Sequence, residues 1–451
     1  MKTKVQNLIS EKIILPLSDL ATHQSISKTL NFLMKSQWWS ESDLKEYQNE
    51  KLRQLIKHAY DNIPYYNDIF KERGLTPKDI QTSDDLIKLP ILTKDNIRTN
   101  IRNKKIIAKN ISKKHIIHQS SSGSTGEPLQ YYNTNYALGF NLACAIRAWY
   151  WMGYRLGDKY VKISQYDRPI HKKIQDLMNR SKYLPAKELN NKYFNKIVNE
   201  MNKYQPKIIR GYPDQMLFLA NYVKENNLNI YIPKAIATTG STLRKSTRES
   251  IETYLKSNVY DSYRCEGGAN VTQCENRHSY HSSMEYAITE IMYNGKEVEK
   301  GERGRLITTD LVNYAVPFIR YDTQDIVTKS NEKCSCGRNL LAIKKIDGRD
   351  SDFLITPSGK FLIDVQFDGW FPEIESIEQF QITQVSIDHI IMKFVVNEKY
   401  NKREQDRIYN YWQKYIGYDV KLEIQVVDNI QFTKSGKRRY IIRDKSITLP
   451  F

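Results

Sequence analysis

From about residue 105 to residue 345 the chain keeps switching period. Short runs rich in β-branched residues, such as KYVKIS and PKAIATTG, are separated by stretches with helical spacing, such as YFNKIVNEMNKY and TRESIETYL. Strands that alternate with helices bury their apolar faces by stacking the helices on a largely parallel sheet, so this texture predicts an α/β fold. After Gly348 the texture changes. FLITPSGKFLI reads as a hairpin with Pro-Ser-Gly at its turn, FQITQVSIDHIIMKFVV as paired strands, KREQDRIYNYWQKYI as a helix and VKLEIQVV as another strand. A domain boundary is expected there, with residues 1–348 forming the large N-terminal domain of mixed sheets and helices, and 349–451 a small α+β domain. Residues 1–70 read as a helical segment. Its first helix carries Ile9, Ile13 and Leu17 at helical spacing, a stripe expected to dock on the body; a membrane-surface helix is the alternative. In the next helix Leu44, Leu52, Leu55, Ile56 and Ala59 share a face, and Pro64 is expected to end it.

Lysine and arginine exceed aspartate and glutamate, 69 to 51, in 451 residues. The surplus of 18 favours anionic partners such as nucleotides, coenzyme A or an acidic membrane face. Nucleic acid is not expected, because the chain has neither a run of like charges nor a basic stripe interleaved with aromatics. No apolar run is long enough to span a bilayer, and Glu11, Lys12 and Asp19 interrupt what would otherwise be an export signal. Five cysteines in a chain this long do not make a disulfide framework. The expected setting is therefore a reducing cytoplasm.

Two constellations carry chemistry. SSSGSTGEP, Ser120 to Pro128, places two glycines among hydroxyl side chains, so its backbone can turn N–H groups onto an anion. No Gly-Lys-Ser/Thr follows, so it is not a Walker A loop, and an ordinary flexible turn fits the same letters. The second constellation is CENRHSYH with CSC. Cys274, His281, Cys334 and Cys336 offer three thiolates and an imidazole, the donor set of a closed structural zinc site. His278 competes for the fourth place, Gly337 is positioned to aim its N–H at a thiolate, and free buried thiols or a redox pair remain open readings.

Taken in order, the loop at 120–128, KLRQLIKHAYDNIPYYNDIF, LPILTKDNIR, GYPDQ at 211–215 and CSCGR at 334–338 resemble the phenylacetate–CoA ligase family of adenylate-forming enzymes. Within it they resemble the branch found in capsular-polysaccharide gene clusters. The resemblance implies a large domain capped by a small mobile one. It implies an enzyme that uses ATP and Mg²⁺ to convert a carboxylic acid to an acyl-adenylate, then passes the acyl group to coenzyme A, or in the polysaccharide branch to an amino sugar or carrier.

Site roles follow from that resemblance. Ser121, Ser122, Gly123, Ser124, Thr125 and Gly126 would hold the ATP phosphates. ATTGSTL would line the adenine, with Gly240 and Ser241 at the close approach. DSYRCEGG would supply Tyr263 to the adenine and Glu266 to Mg²⁺, although this chain carries Arg264 where glycine is usual and has one residue fewer between Tyr and Glu. Asp325, at the end of RYDTQD, would accept from the ribose hydroxyls, supported by Arg320 and Tyr321. Arg349, in IDGRDSDFL, would reach ribose or phosphate beside a hinge that carries Ser351 between Asp350 and Asp352. Lys437, in FTKSGKRRY, would swing in to stabilise the transferring phosphoryl group. The acyl pocket is expected near Tyr212 and Cys265, with Trp149 and Tyr150, and no arginine dedicated to reading a carboxylate can be singled out. The zinc cluster also fits the family. A homodimer is compatible with this reading, and a non-catalytic nucleotide-binding scaffold is the alternative from another class.

Overall fold

The computed structural model describes residues 2–121, 129–164, 176, 179–185, 191–349, 353–363, 371, 374–431, 439–444 and 446–447. The chain opens with α1 (Lys2–Ile9), a π turn (Ser10–Ile14), α2 (Leu15–Thr22), α3 (Ile26–Ser36), α4 (Glu41–Asn62), α5 (Pro64–Glu72) and α6 (Lys94–Arg102). Pro64 does end α4, and it also opens α5 from its first turn, where a missing N–H costs no hydrogen bond. The hairpin of β1 (Ile116–Ser120) and β2 (Gln130–Thr134) leads into α7 (Asn135–Trp151).

The alternating region then lays down β3 (Tyr160–Ser164), β4 (Ser181–Pro185), α8 (Asn191–Tyr204), β5 (Ile208–Gly211), α9 (Pro213–Glu225), β6 (Ala235–Thr239), α10 (Lys245–Leu255) and β7 (Val259–Arg264). Its strands pair in parallel, in the order β4-β3-β5-β6-β7. Because side chains alternate across a strand, one face (Val161, Ile209, Ile236, Val259) packs with apolar residues of α8, α9 and α10. The other face (Tyr160, Ile208, Ala237, Tyr260) packs with Trp149 and Met152 at the end of α7. This is the helix-on-parallel-sheet arrangement the alternation predicts.

At β7 the direction reverses. The antiparallel strands β8 (Asn270–Gln273), β9 (Tyr280–Ser282), β10 (Ala287–Tyr293), β11 (Lys296–Glu297), β12 (Arg303–Asp310), β13 (Tyr321–Lys329) and β14 (Ala342–Arg349) extend the same sheet to twelve strands. The C-terminal elements follow the expected order: a hairpin of β15 (Phe353–Ile355) and β16 (Phe361–Ile363), then β17 (Ile377–Ser386), β18 (His389–Val396), α11 (Lys402–Ile416), β19 (Lys421–Val426) and β20 (Ile441–Arg443). The last four strands form a separate sheet, β19-β18-β17-β20, with its own core around Phe371, Phe394 and Trp412. Among the described residues no helix is long and apolar enough to cross a membrane.

The first helix departs from expectation. It does lie on the body, but through its polar side: Ser10 is buried, Asn7 Nδ2 donates to Asp158 Oδ1 (3.3 Å), and the Tyr150 hydroxyl donates to Glu11. Ile9, Ile13 and Leu17, the stripe expected to dock, face outward. Periodicity reports that a stripe exists, not which way it points.

One buried ion pair ties the helical layer to the sheet. Arg147 on α7 and Glu285, just before β10, both have fully buried side chains and meet at 2.7 Å. Ser36 of α3 donates to the same carboxylate oxygen at 2.5 Å, and the guanidinium also donates to Ser283 Oγ (2.9 Å). Removing one partner strands a buried charge, which costs more than replacing both. Glu285→Ala should therefore lower unfolding stability by about 3–5 kcal/mol. Arg147→Met combined with Glu285→Leu should recover most of that loss, read by urea denaturation; equal stability of single and double variants would show that the charge is not the cause.

Candidate active site and a cysteine–histidine cluster

The carboxyl ends of the parallel strands, where open α/β sheets bind ligands, gather most of the described residues expected to act. Asp325 on β13 is buried, accepts a hydrogen bond from the Tyr263 hydroxyl of β7 (2.5 Å) and faces Arg349 Nε of β14 at 3.5 Å. Burial raises its carboxyl above the usual range, while Arg349, Tyr263 and Lys94 pull it back. Lys94 is a residue sequence reasoning missed. Leu92 is hydrogen bonded on both sides to β13, donating to the Arg320 carbonyl (2.9 Å) and accepting from Asp322 N–H (2.9 Å). Thr93 then caps α6, and Lys94 is delivered into the field of Glu266, Asp325, Cys265 and Arg349. Burial, then Arg349, lowers its ammonium, and the acids oppose that. Its only local signal was the Thr-Lys-Asp-Asn helix start.

Glu266 follows β7 in a turn closed by Gly267 and Gly268. A Cβ at Gly267 would stand 2.4 Å from the Tyr321 ring and 2.6 Å from Thr308 Oγ1, and Gly268 adopts φ +91° against Asp310. The turn can only be glycine, and it fixes Glu266 beside Tyr131 and Tyr321, whose hydroxyl proton its charge helps retain. Gly240, at φ +87°, leaves space taken by the Tyr212 ring, 2.6 Å from where a Cβ would sit. Ser241 beside it has a buried hydroxyl with no partner in the structure. Tyr212 thus lies against the expected adenine segment. Cys265 is half-buried, and burial pushes its thiol up to about 12. Trp149 stacks on Tyr160 (5.4 Å), whereas Tyr150 turns away to Glu11 and Arg155. Arg320 and Tyr321 are buried behind the site; Arg320 pairs with Glu290 (2.9 Å).

Ser121 closes the base of the glycine-and-hydroxyl loop, its N–H donating to Leu129 O and its hydroxyl accepting from Leu129 N–H, both at 2.9 Å. Ser122, Gly123, Ser124, Thr125 and Gly126 lie outside the described residues, as do Asp350, Ser351, Asp352 and Lys437.

The second constellation does assemble. The donor atoms of Cys274, His281, Cys334 and Cys336 all lie within 4.8 Å of one another. Cys274 Sγ is 3.5 Å from Cys334 Sγ, and Cys336 Sγ is 3.3 Å from His281 Nε2. Hydrogen bonds, from Cys274 first and then His281, favour the Cys336 thiolate. Backbone N–H groups of Cys336, Arg338 and Asn276 also point at the three sulfurs. Gly337, expected to do this, instead donates to the Cys334 carbonyl (3.3 Å), and His278 is exposed outside the cluster. All five cysteines are free.

With this geometry in hand, the comparisons with known proteins are informative. Residues 354–444 match the CapK C-terminal domain. The chain is 26% identical over 422 residues to the protein CapK of Staphylococcus aureus, covering 89% of this chain and 90% of that one. It is 28% identical over 326 residues to a phenylacetate–coenzyme A ligase of Pseudomonas putida, covering 69% and 72%. Among solved structures, a 2-hydroxyisobutyryl-CoA ligase in its postadenylation state, bound to R3-HIB-AMP, aligns with TM-score 0.73 at 18% identity over 91% of this chain and 93% of that one.

Proposed function

Because the chain belongs with the adenylate-forming enzymes of the phenylacetate–CoA ligase type, we propose that it activates a carboxylic acid with ATP and transfers the acyl group to coenzyme A. The observation that carries this reading is the convergence of Tyr263, Asp325, Arg349, Lys94 and Glu266 at the carboxyl edge of the sheet, with the buried Ser241 hydroxyl unclaimed nearby. Asp325, fixed from two sides, accepts from the ribose hydroxyls. The substrate carboxylate oxygen attacks the α-phosphorus; that P–O bond forms as the α–β phosphoanhydride breaks, and the electron pair leaves on pyrophosphate. Lys94, and Lys437 carried in by the small domain, would supply positive charge for that step, and preorganised cations act most strongly in a site closed to water. Glu266 would hold Mg²⁺, which neutralises phosphate charge. The hinge would lie at the end of β14, with residues 349–451 as the small lid domain the resemblance implies. An amino sugar or carrier as final acceptor is the alternative, in keeping with the CapK relationship; cytoplasmic location fits the five free thiols.

The thiol cluster would hold one structural zinc. Three sulfurs and one imidazole are a closed tetrahedral set, and three backbone amides already point at the sulfurs. It would pin the segment after β8 to the start of β14.

ATP–pyrophosphate exchange across a panel of carboxylic acids tests the activity, and added coenzyme A should then yield a thioester. Lys437→Ala should keep the wild-type unfolding midpoint and slow exchange by about 10²–10³-fold, the usual effect of losing one preorganised charge; exchange at wild-type rate removes Lys437 from the mechanism. For the cluster, metal analysis of protein never exposed to chelator should find about one zinc per chain, and Cys274→Ser should lose it. Metal-free protein that retains its fold would reject the zinc reading.

A further inference from the structure

The face of the sheet under α7 carries two arginines whose charge no carboxylate answers among the described residues. Arg210 lies in register with Ala237 and, through it, Tyr260; Arg264 is four residues beyond Tyr260 on the same face of β7. Arg210 stands 6.0 Å from the Trp149 ring. The charged group that bears most on Arg264 is Arg210, followed by Cys144, Tyr160 and Tyr286, and its Nε is buried without a partner. Among the described residues neither guanidinium has a carboxylate partner. Burial and the second arginine lower the Arg264 guanidinium to about 9. Elsewhere three buried arginines meet carboxylates, Arg147 with Glu285, Arg320 with Glu290 and Arg338 with Glu275, as does the partly buried Arg305 with Asp322. Two half-buried cations left facing each other are costly unless a ligand brings the counter-charge. Arg210 lies by Trp149, and Arg264 directly precedes Cys265 and Glu266 in the chain, the residues near which the acyl pocket is expected.

We infer that Arg210 and Arg264 form an anion-binding subsite in the acyl pocket, so that the acid activated here carries a second anionic group, a carboxylate or a phosphate or sulfate, opposite the carboxylate that is adenylated. This rests on the adenylation reading. The test compares pentanoate with glutarate, hexanoate with adipate, and phenylacetate with carboxyphenylacetate, by ATP–pyrophosphate exchange and by the shift each produces in the unfolding midpoint. Dianions should exceed their monoanionic partners by at least about tenfold in exchange, and Arg264→Leu or Arg210→Leu should each abolish the advantage. Exchange driven equally or better by monoanions, or an advantage kept in both variants, overturns the subsite and leaves adenylation standing. A dianion-specific midpoint shift lost in Arg264→Leu, with no exchange from any acid, upholds the subsite and rejects adenylation; neither signal rejects both.

A separate observation concerns the N-terminal helix. Val5, Leu8, Ile9, Ile13, Leu17 and Leu20 form one outward stripe, Leu20 73% exposed. Four-residue steps on an α-helix over-rotate by about 40° each, and the wider π turn at Ser10–Ile14 offsets this, keeping Ile13 in line between Ile9 and Leu17. The charges are sorted as well. Both acids of residues 2–22 are engaged elsewhere: Glu11 accepts from Tyr150, and Asp19 accepts from the N–H groups of Ile26 and Ser27 (2.7 and 2.6 Å). Lys4 and Lys12 are exposed, and Arg155 is exposed against Tyr150 beside the helix. An apolar strip with exposed lysines beside it and both its own acids engaged matches an anionic bilayer surface.

The geometry points to this helix as an anchor lying on an anionic membrane. The full chain should co-sediment with vesicles of phosphatidylcholine and phosphatidylglycerol, and at least about tenfold less with phosphatidylcholine alone or for Lys4→Glu/Lys12→Glu. Leu17→Ser/Leu20→Ser, at exposed positions, should lose binding with no change in unfolding midpoint. Wild-type protein left in the supernatant, or variants that bind equally, overturns the anchor. A concentration-dependent dimer lost in the leucine variant, without vesicle binding, assigns the face to a second copy and also overturns it.

Discussion

The turn at Gly267–Gly268 is the constraint on which the reactive edge depends. It sits where a sheet built in parallel changes to antiparallel pairing, and the packing around it leaves no room for a side chain: Tyr321 and Thr308 crowd the first glycine, Asp310 the second. A strand that ended anywhere else would present its last residues to other neighbours. As built, alternation along β7 sends Tyr263 to Asp325 and Arg264 to the α7 face, and delivers Glu266 to the edge between them. One backbone reversal therefore fixes where three of the residues singled out in the sequence lie.

Charge is distributed unevenly around that turn. Away from it, buried arginines are matched by carboxylates at hydrogen-bonding distance, which joins layers at little electrostatic cost. At the edge the balance is broken in two directions: Asp325 is buried more deeply than its partners fully compensate, and Arg210 with Arg264 meets no carboxylate among the described residues. Proteins keep such imbalances where a ligand completes them. On the proposed reading, a nucleotide would supply hydroxyl donors to the first and an acid tail would supply charge to the second.

Much of this was readable from the residues. The alternation of periods announced the parallel half, and the C-terminal helix and strands fall where their patterns place them. The cysteines and His281 could be grouped from residue type alone, because few other jobs suit three thiols and an imidazole. Other features were not readable, for physical reasons. Lys94 lies far from β7 in sequence and reaches it only because Leu92 hydrogen bonds to β13 on both sides. Arg264 was visible only as an unusual letter; that it shares a face with Arg210 depends on strand register. The inverted first helix shows the limit most directly, since its apolar period was correct and its direction goes with Asn7 and Glu11 finding partners on the body and Ser10 being buried against it.

Strand β14 connects the two constellations. Its first residue, Ala342, pairs with His281 beside the thiol cluster, and its last, Arg349, pairs with Asp325. Eight residues of extended chain span about 27 Å at roughly 3.4 Å each, so a clamp at one end bears on the carboxylate at the other only through a strand held in register. Irregularities occur at Ile326/Val327 and Thr328/Lys329, where the pairing with β13 shifts. Such bulges leave a residue unpaired and bend the strand while helping to fix its register. The cluster sits near the other end of β14, beside β9, and Arg338 next to it is itself held by Glu275 (2.9 Å) and Gln37 (3.1 Å). The strand is thus held at both ends, by its pairing beside the cluster and by its pairing at Asp325, and Arg349 stays opposite that carboxylate.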